Sequence, residues 1–505
     1  MRRRAGCLIM PGRKGSLKSE GVRIWMQDFD LEGSQFRDPA QPFPLMRFLE
    51  RSATVAEPGF SRWMTPPAAI AVHMCIGEVY GFSVFNVPLT RVLGVTQALE
   101  GQDWTIPQLG WIYQIALFML GISAAVFGKW VEKSGPRKSM VVSMLCFCGG
   151  LLVSSLGVRL HRIELLYLGY GVLGGVGLGI GYIAPVSTLM KWFPDRPGMA
   201  TGMAIMGFGG GALIGAPLGV QLMDYFKGAH SVGVAEAFVA MAFLYAVSML
   251  YGAWIVRVPA EGWSPAGHDA APGKDKGVLH AAAAGRPQVS VDVAWKTPQF
   301  WLLWVVLCMN VSAGIGILGQ ASLMCQDMFG VSAAIGGGFA GLLSIFNMGG
   351  RFVWSFFSDL IGRRAVYCVF FLLGGVLYCL VPWTQRIGSQ TLFVVVTALI
   401  ISMYGGGFAT IPAYLRDLFG TMQVGAIHGR LITAWSMAAV IGPALVNYIS
   451  EAQKKSGVPA AEAYNRTMYI VASLLVVGFA ANLLVRPVDP KFHHKPKPTG
   501  EREGA

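Results

Sequence analysis

The chain has 505 residues, of which 54% are hydrophobic and only 13% are charged, and its formal net charge is +13. Soluble domains carry about 25% charged residues, so this composition excludes an ordinary soluble protein and indicates an integral membrane protein, with the lipid bilayer as its main partner. The 65 glycines are typical of tightly packed membrane helices, because small residues let helix backbones approach each other.

Residues 1–62 are polar and mixed in charge, and they predict a flexible cytoplasmic tail. Twelve apolar segments follow, each long enough to cross about 30 Å of hydrocarbon as an α-helix. The predicted spans are 66–90, 108–129, 138–158, 163–190, 198–223, 235–256, 299–326, 331–358, 364–384, 389–414, 425–450 and 465–486. We expect an all-α membrane protein with two six-helix bundles, 63–256 and 299–486, a cytoplasmic linker, 257–298, and a cytoplasmic C-terminal tail, 487–505.

Lysine and arginine are concentrated in the two tails, the linker and the loops that follow the second, fourth, eighth and tenth spans. The loops that follow the first, third, fifth, ninth and eleventh spans hold Arg91, Arg159, Arg162, Lys227, Arg386, Lys454, Lys455 and Arg466. Because cytoplasmic loops carry the excess of basic residues, both termini are predicted to be cytoplasmic, in the cell (inner) membrane. Arg351 is then the one basic residue near the middle of a predicted span, because the other basic residues within spans lie at or near span ends.

A buried arginine costs about 2.5–3.5 kcal/mol at the centre of a membrane helix, so it indicates function or a specific partner. Arg351 belongs to a polar stripe at helical spacing, formed by Ser344, Asn347, Arg351, Ser355 and Ser358. Its planar fork of N–H donors suits a carboxylate. The alternative is a structural arginine neutralised by Glu78.

Glu78 is the one carboxylate deep in a predicted span. Burial favours its protonated form, so Glu78 is a candidate for carrying a proton, with Arg351 expected nearby to regulate it. The alternatives are a fixed counter-ion and a neutral acid in a helix contact. Further candidate residues for a substrate cavity, each of which could instead be ordinary packing, are Tyr80, Tyr182, Gln320, Tyr404 and Trp435.

The two halves of the chain repeat weakly in equivalent loops. Residues 128–138 read GKWVEKSGPRK after the second span, and residues 355–364 read SFFSDLIGRR after the eighth. Internal repetition of six-helix halves is typical of transporters that bind their substrate between the halves. Both loops resemble the G-x-x-x-D-R-x-G-R-R motif of the major facilitator superfamily. The resemblance implies a gating role for Gly128, Glu132, Gly135, Arg137, Asp359, Gly362, Arg363 and Arg364.

Three further segments resemble the oxalate/formate antiporter family, which is related to the monocarboxylate porters: KWFPDRPGMATG at 191–202, GGGFATIPAYLRDLFG at 405–420 and IHGRLITAW at 427–435. In oxalate-transporting members an arginine in helix 8 and a lysine in helix 11 face the cavity. Arg351 falls on the arginine position, but Trp435 occupies the lysine position. Since a dianion in a low dielectric needs compensation at both ends, this difference favours a monocarboxylate such as formate, lactate or pyruvate.

The sequence therefore predicts a secondary transporter of small organic carboxylates that works by alternating access and acts as a monomer, with protons as a candidate coupling ion. The alternatives are an oxalate/formate-type anion antiporter and, from another class, a non-transporting membrane sensor. No catalytic constellation, metal motif or cofactor motif is present in the sequence, so neither an enzyme nor a cofactor is expected, and nucleic acid is not an expected partner.

Overall fold

The computed structural model of the chain describes residues 48–265 and 288–494. Most of the predicted N-terminal tail, most of the linker and the end of the C-terminal tail lie outside the described residues. The division of the chain into five regions, with one bundle on each side of the linker, stays a prediction.

The described chain is helical, which confirms the predicted fold class. Its twelve long helices, with bounds close to the predicted spans, are α1 (Arg62–Leu89), α2 (Ile106–Ser134), α3 (Pro136–Arg159), α4 (Ile163–Trp192), α5 (Pro197–Phe226), α6 (Val234–Ile255), α7 (Pro298–Phe329), α8 (Ala333–Ile361), α9 (Arg363–Arg386), α10 (Gln390–Phe419), α11 (Val424–Lys455) and α12 (Asn465–Leu484). Eleven of these helices are both apolar enough and long enough to cross a membrane. Helix α8 has 29 residues and carries the polar stripe that includes Arg351.

Proline and glycine mark several helix ends. Pro136, Pro197 and Pro298 open α3, α5 and α7, where a missing N–H costs little because N–H groups of a first turn have no partner within the helix. Gly135 ends α2 with φ +85°, and Gly362 ends α8 with φ +90°. Residues with a side chain rarely adopt such angles, so these two glycines permit the equivalent sharp turns into α3 and α9.

Three of the long helices are irregular. Helix α1 tightens to a 3₁₀ helix over Glu78–Phe85, and α4 widens to a π-helix over Tyr167–Gly174. Helix α11 is interrupted at Ile432, between Val424–Leu431 and Thr433–Lys455. Such departures from α-helical winding are frequent at functional sites, and all three lie in helices that contribute to the site described below.

The first six and the last six helices meet along two main seams. Helix α5 packs against α8 and α10, and α2 packs against α11. Glycines make the first seam close: Gly202 and Gly209 of α5 lie directly against Arg351 of α8. A side chain at Gly209 would overlap the Arg351 side chain, and one at Gly202 would overlap Ser355 and the Arg351 carbonyl, so the α5–α8 packing fixes the position of Arg351.

A cavity of about 580 Å³, which we call the vestibule, lies between the two halves. Its lining comes from the end of α1, the start of α2, and the middle parts of α7 and α11. The vestibule therefore lies on the side of the molecule away from the α2–α3 and α8–α9 loops. On the loop side the two halves are held together by the contacts described below.

Candidate functional site

Arg351 is fully buried between α5, α8 and α10. Its Nε donates to Asn347 Oδ1 at 3.1 Å, and its Nη1 donates to the Ile205 carbonyl at 3.5 Å. Its Nη2 has no hydrogen-bond partner. Among the described residues no carboxylate forms an ion pair with Arg351. The guanidinium is thus held in place by neutral groups while one of its nitrogens stays available.

Aromatic rings surround this guanidinium. The Cζ atom of Arg351 lies 5.6 Å from the ring centroid of Phe208 and 5.2 Å from that of Phe408. Trp435 packs against both rings, at centroid distances of 5.4 Å and 4.5 Å, and Tyr182 packs against Trp435 at 5.6 Å. Cation–π contacts of this kind stabilise a buried arginine without neutralising its charge. We define the aromatic box as Arg351 with Tyr80, Tyr182, Phe208, Tyr404, Phe408 and Trp435.

Two tyrosines of the aromatic box lie between Arg351 and the vestibule. The hydroxyls of Tyr80 in α1 and Tyr404 in α10 form a hydrogen bond of 3.0 Å across the two halves. Tyr80 lines the vestibule, whereas Tyr404 is buried. Both tyrosines lie within electrostatic range of Arg351. Gln320 of α7 lines the vestibule and is not part of the box.

Several buried polar atoms near the box have no hydrogen-bond partner among the described residues: Arg351 Nη2, Tyr182 Oη, Trp435 Nε1, His73 Nδ1, and both ring nitrogens of His428. Buried polar groups are nearly always paired, so such a cluster is typical of a site that accepts a polar ligand. The Tyr182 ring contacts both histidines, at centroid distances of 5.5 Å to His73 and 5.8 Å to His428.

Glu78 lies elsewhere. Its Oε2 accepts a hydrogen bond of 2.9 Å from the Tyr170 hydroxyl, and its Oε1 has no hydrogen-bond partner among the described residues. Gly215 of α5 and the Tyr245 hydroxyl of α6 pack beside it. The structure therefore does not bring Glu78 and Arg351 together, although the sequence analysis expected them to be close. A role for Glu78 in proton coupling stays a prediction.

On the loop side, Glu132 connects α2 to two other helices. Its Oε2 pairs with Lys191 of α4 at 3.0 Å, and its Oε1 accepts the Ser187 hydroxyl at 2.7 Å. The same Oε1 accepts the backbone N–H of Gly425 at 3.1 Å. Gly425 is in the first turn of α11, so a carboxylate from the first six helices binds the N-terminus of a helix from the last six.

Asp359 makes the equivalent contact in the opposite direction. Its two oxygens accept the backbone N–H groups of Gly198 and Met199, at 2.9 Å and 2.8 Å, in the first turn of α5. Arg363 pairs with the same carboxylate at 2.5 Å and with Asp417 at 3.2 Å. Negative charge is favourable at a helix N-terminus. We call the contacts of Glu132 and Asp359 the two latches.

The other motif residues support this arrangement, Gly128 between the two halves and Arg137 and Arg364 within one half each. Gly128 lets α2 lie against Ala426 of α11. Arg137 donates to the carbonyl of Ala253 at the end of α6. Arg364 donates to the carbonyl of Leu483 in α12.

The end of the linker lies across the same loop side. Residues 288–296, which we call the strap, include the short helix Val291–Ala294. Asp292 pairs with Lys129 of α2 at 2.5 Å and with Arg430 of α11 at 2.9 Å. These two cations hold the pKa of the Asp292 carboxyl below its usual range, so it stays ionised at neutral pH and joins α2 to α11.

Sequence reasoning missed Phe208, Phe408 and His428. Phe408 follows Tyr404 by four residues, which places both on one helix face, and this signal was available. Phe208 lies in a glycine-rich span that gave no such signal. His428 lies inside a predicted span, where a polar side chain is itself informative.

No cluster of histidine, cysteine, aspartate and glutamate with metal-binding geometry occurs within residues 48–265 and 288–494. The described part of the site therefore offers a cation, aromatic faces and hydrogen-bond donors, a combination suited to an organic anion.

Comparison with known proteins gives the family. The model of the Major Facilitator Superfamily matches residues 59–359 and 341–504. The Oxalate:formate antiporter of Oxalobacter formigenes is 25% identical over 387 residues, covering 76% of this chain and 84% of that protein. Apicoplast pyruvate carrier 1 of Toxoplasma gondii is 24% identical over 444 residues, covering 71% and 78%. Monocarboxylate transporter 12 of Rattus norvegicus is 21% identical over 469 residues, covering 85% and 90%.

Solved structures show the same fold. The transporter FucP in the outward conformation matches with a TM-score of 0.57 and 14% identity, covering 84% of this chain and 99% of that one. A bacterial homolog of the human lysosomal transporter Spinster, in an inward-facing and unoccupied conformation, also matches with a TM-score of 0.57, at 16% identity, covering 88% and 100%. The two equal scores do not distinguish an outward from an inward conformation. The contacts of this chain do distinguish them, because the latches close the loop side and the vestibule lies on the other side.

Proposed function

The chain belongs to the Major Facilitator Superfamily, and from this premise we propose that this secondary transporter carries a small organic carboxylate by alternating access. The substrate class that we favour is a monocarboxylate of the formate, lactate or pyruvate type. Both termini are placed in the cytoplasm on the basis of the distribution of lysine and arginine.

One observation supports this proposal above the others. Arg351 is fully buried, has no carboxylate partner among the described residues and keeps Nη2 without a hydrogen bond. An uncompensated buried charge is costly. A carboxylate from a substrate would supply both the missing negative charge and an acceptor for that N–H group. The distant similarity to carriers named for oxalate, formate, pyruvate and monocarboxylates agrees with this chemistry.

The preference for a monoanion comes from Trp435. This residue is buried in the aromatic box, at the position where the resemblance to oxalate-transporting proteins implies a lysine as the second cation for a dianion. One fixed positive charge balances one carboxylate. The indole N–H, which has no partner, suits a neutral oxygen at the other end of the substrate.

Oxalate/formate exchange is the second candidate. The similarity to the Oxalate:formate antiporter, over 84% of that protein's length, favours it. The single fixed cation opposes it, because oxalate would leave one carboxylate without a partner in a low dielectric.

The test is transport by the purified protein in liposomes, with labelled formate, lactate, pyruvate and oxalate, with and without a pH gradient. Arg351→Gln should reduce monocarboxylate transport about 10- to 100-fold, since hydrogen bonds to charged groups contribute about 1.5–3 kcal/mol. Arg351→Lys keeps the charge but loses the planar fork, and it should retain part of the activity. Arg386→Gln, at the exposed end of α9, is the matched control.

Full carboxylate transport by Arg351→Gln would refute the role of Arg351. Transport of oxalate in strong preference to pyruvate by the unaltered protein would replace the first candidate with the second. Absence of transport of all four anions by a folded protein would remove the substrate class altogether.

A further inference from the structure

His428 is a buried histidine that the proposed carboxylate site does not yet use. Its side chain is 1% exposed, and neither ring nitrogen has a hydrogen-bond partner among the described residues. It lies three residues after Gly425, which binds Glu132, and seven before Trp435 of the aromatic box. At 1.5 Å per residue, His428 is about one helical turn from Gly425 and about two turns from Trp435 along α11.

The charged and titratable groups on the elements packed against this part of α11 are Lys129 and Glu132 of α2, Tyr182 and Lys191 of α4, Arg416 and Asp417 of α10, and Asp292 of the strap, with Arg430 on α11 itself. Each of these carboxylates already has a cation partner. Glu132 pairs with Lys191, Asp292 with Lys129 and Arg430, and Asp417 with Arg363. None of them bonds to His428, so the described protein offers no counter-ion to a protonated His428.

A buried imidazolium without a counter-ion is strongly unfavourable, and an anion beside it removes most of that cost. Tyr182 connects His428 to the box, because its ring contacts the imidazole and its hydroxyl, which has no partner, lies within electrostatic range of Arg351. Tyr182 and then His428 therefore lie between Arg351 and the latch at Gly425.

We propose that His428 binds one proton from the bulk solution when the carboxylate occupies the site and releases that proton after the carboxylate has left. The inference rests on the proposed carboxylate function. His428 is then a second cation in the loaded protein and a neutral imidazole in the empty protein. The transported species is an anion accompanied by a proton. No covalent bond changes, since the proton adds to an imidazole nitrogen that has no partner.

Two other buried groups are less suited to this role. Nε2 of His73 already donates to the Tyr182 carbonyl at 3.2 Å. Glu78 is bonded to Tyr170 and lies apart from Arg351. Neither is placed between the box and a latch.

The experiment measures binding of pyruvate to the purified full chain in detergent at pH values from about 5 to 8, together with proton uptake reported by an indicator dye in weak buffer. The unaltered protein should take up roughly one proton per pyruvate near pH 7. Its affinity for pyruvate should fall about tenfold for each unit that the pH rises, over the range in which His428 is neutral in the empty protein and protonated in the loaded one. His428→Gln should bind pyruvate with little pH dependence and almost no proton uptake.

His161→Asn is the matched control, because His161 is in an outer loop with φ +50°, a conformation that asparagine tolerates. Exchange of labelled pyruvate at equal pH on both sides of the liposome membrane checks that His428→Gln is folded, since exchange needs no net proton movement. Unchanged proton uptake in His428→Gln, or its loss in His73→Gln instead, would overturn the proposal. If the unaltered protein binds no carboxylate at all, the proposed function fails before His428 is tested.

Discussion

At the scale of single residues, Trp435 determines how much positive charge the aromatic box contains. It packs on Phe208, Phe408 and Tyr182 and is fully buried. Because its side chain is uncharged, Arg351 is the one fixed cation among the residues of the box.

Trp435→Lys should therefore shift the preference of the protein from a monoanion toward a dianion. A second cation would compensate a second carboxylate, so oxalate should gain roughly tenfold or more in affinity relative to pyruvate, as expected for a charged hydrogen bond of about 1.5–3 kcal/mol. Competition of both anions against labelled pyruvate measures the ratio. Trp435→Met removes the same ring and leaves an uncharged chain, so it should not shift the ratio. Equal oxalate preference in the two variants would contradict this assignment of charge selectivity.

Arg351, Tyr182, Tyr404 and Trp435 were predicted from the sequence and do meet in the structure. Glu78 was expected near them and does not. Residues two apart point in directions about 160° apart in an α-helix and about 120° apart in a 3₁₀ helix such as Glu78–Phe85. Glu78 and Tyr80 could therefore not both face the box, and this conflict was readable from the numbering. Which of the two faces inward depends on tertiary packing, which helical periodicity alone does not specify.

At the scale of helices, the two latches repeat one device. Glu132 in the last turn of α2 binds the N-terminus of α11, and Asp359 in the last turn of α8 binds the N-terminus of α5. The bounds of the helices and the motif residues were readable from hydropathy and turn residues. The sequence did not indicate which helix ends the two carboxylates contact, because these helix ends are about 160 to 290 residues away along the chain.

Asp359→Asn should weaken closure of the loop side. The amide loses the negative charge that two N–H groups and Arg363 share, and a change of about 1.4 kcal/mol shifts a two-state ratio tenfold. A cysteine at Ser83, which is exposed in the vestibule, reports the shift: its rate of reaction with a maleimide in detergent should fall severalfold as the vestibule closes.

Glu236→Gln is the control for this measurement. Glu236 pairs with Arg159 at 3.3 Å on the vestibule side and within the first six helices, so the Ser83 cysteine should react as in the parent. An Asp359→Asn protein whose vestibule reacts at the parent rate would show that the latch does not set the conformation.

At the scale of the whole molecule, closure of the loop side involves the strap as well as the latches. Asp292 holds Lys129 and Arg430 within reach of each other. Opening this side requires α2 and α11 to separate, so the three residues should come apart in each transport cycle.

A flexible, reducible cross-linker between cysteines at positions 129 and 430 should stop transport. The cross-link fixes α2 and α11 in the closed arrangement, while the vestibule on the other side stays accessible to a maleimide at Ser83→Cys. Reduction of the linker should restore transport. A variant with a new cysteine at only one of the two positions, treated in the same way, should stay active. Transport that continues in the fully cross-linked protein would show that the loop side does not open at this point.

The uncompensated charge of Arg351 also has an electrical consequence. Among the described residues nothing neutralises it, so the empty site carries one positive charge, and the site filled by a monoanion alone carries none. A cycle that moves the anion alone would then work against a membrane voltage that is negative inside, at about 2.3 kcal/mol per charge per 100 mV. With a proton on His428 the loaded site is again singly positive. The charge is then the same in both directions, and accumulation becomes independent of voltage and limited by the pH gradient.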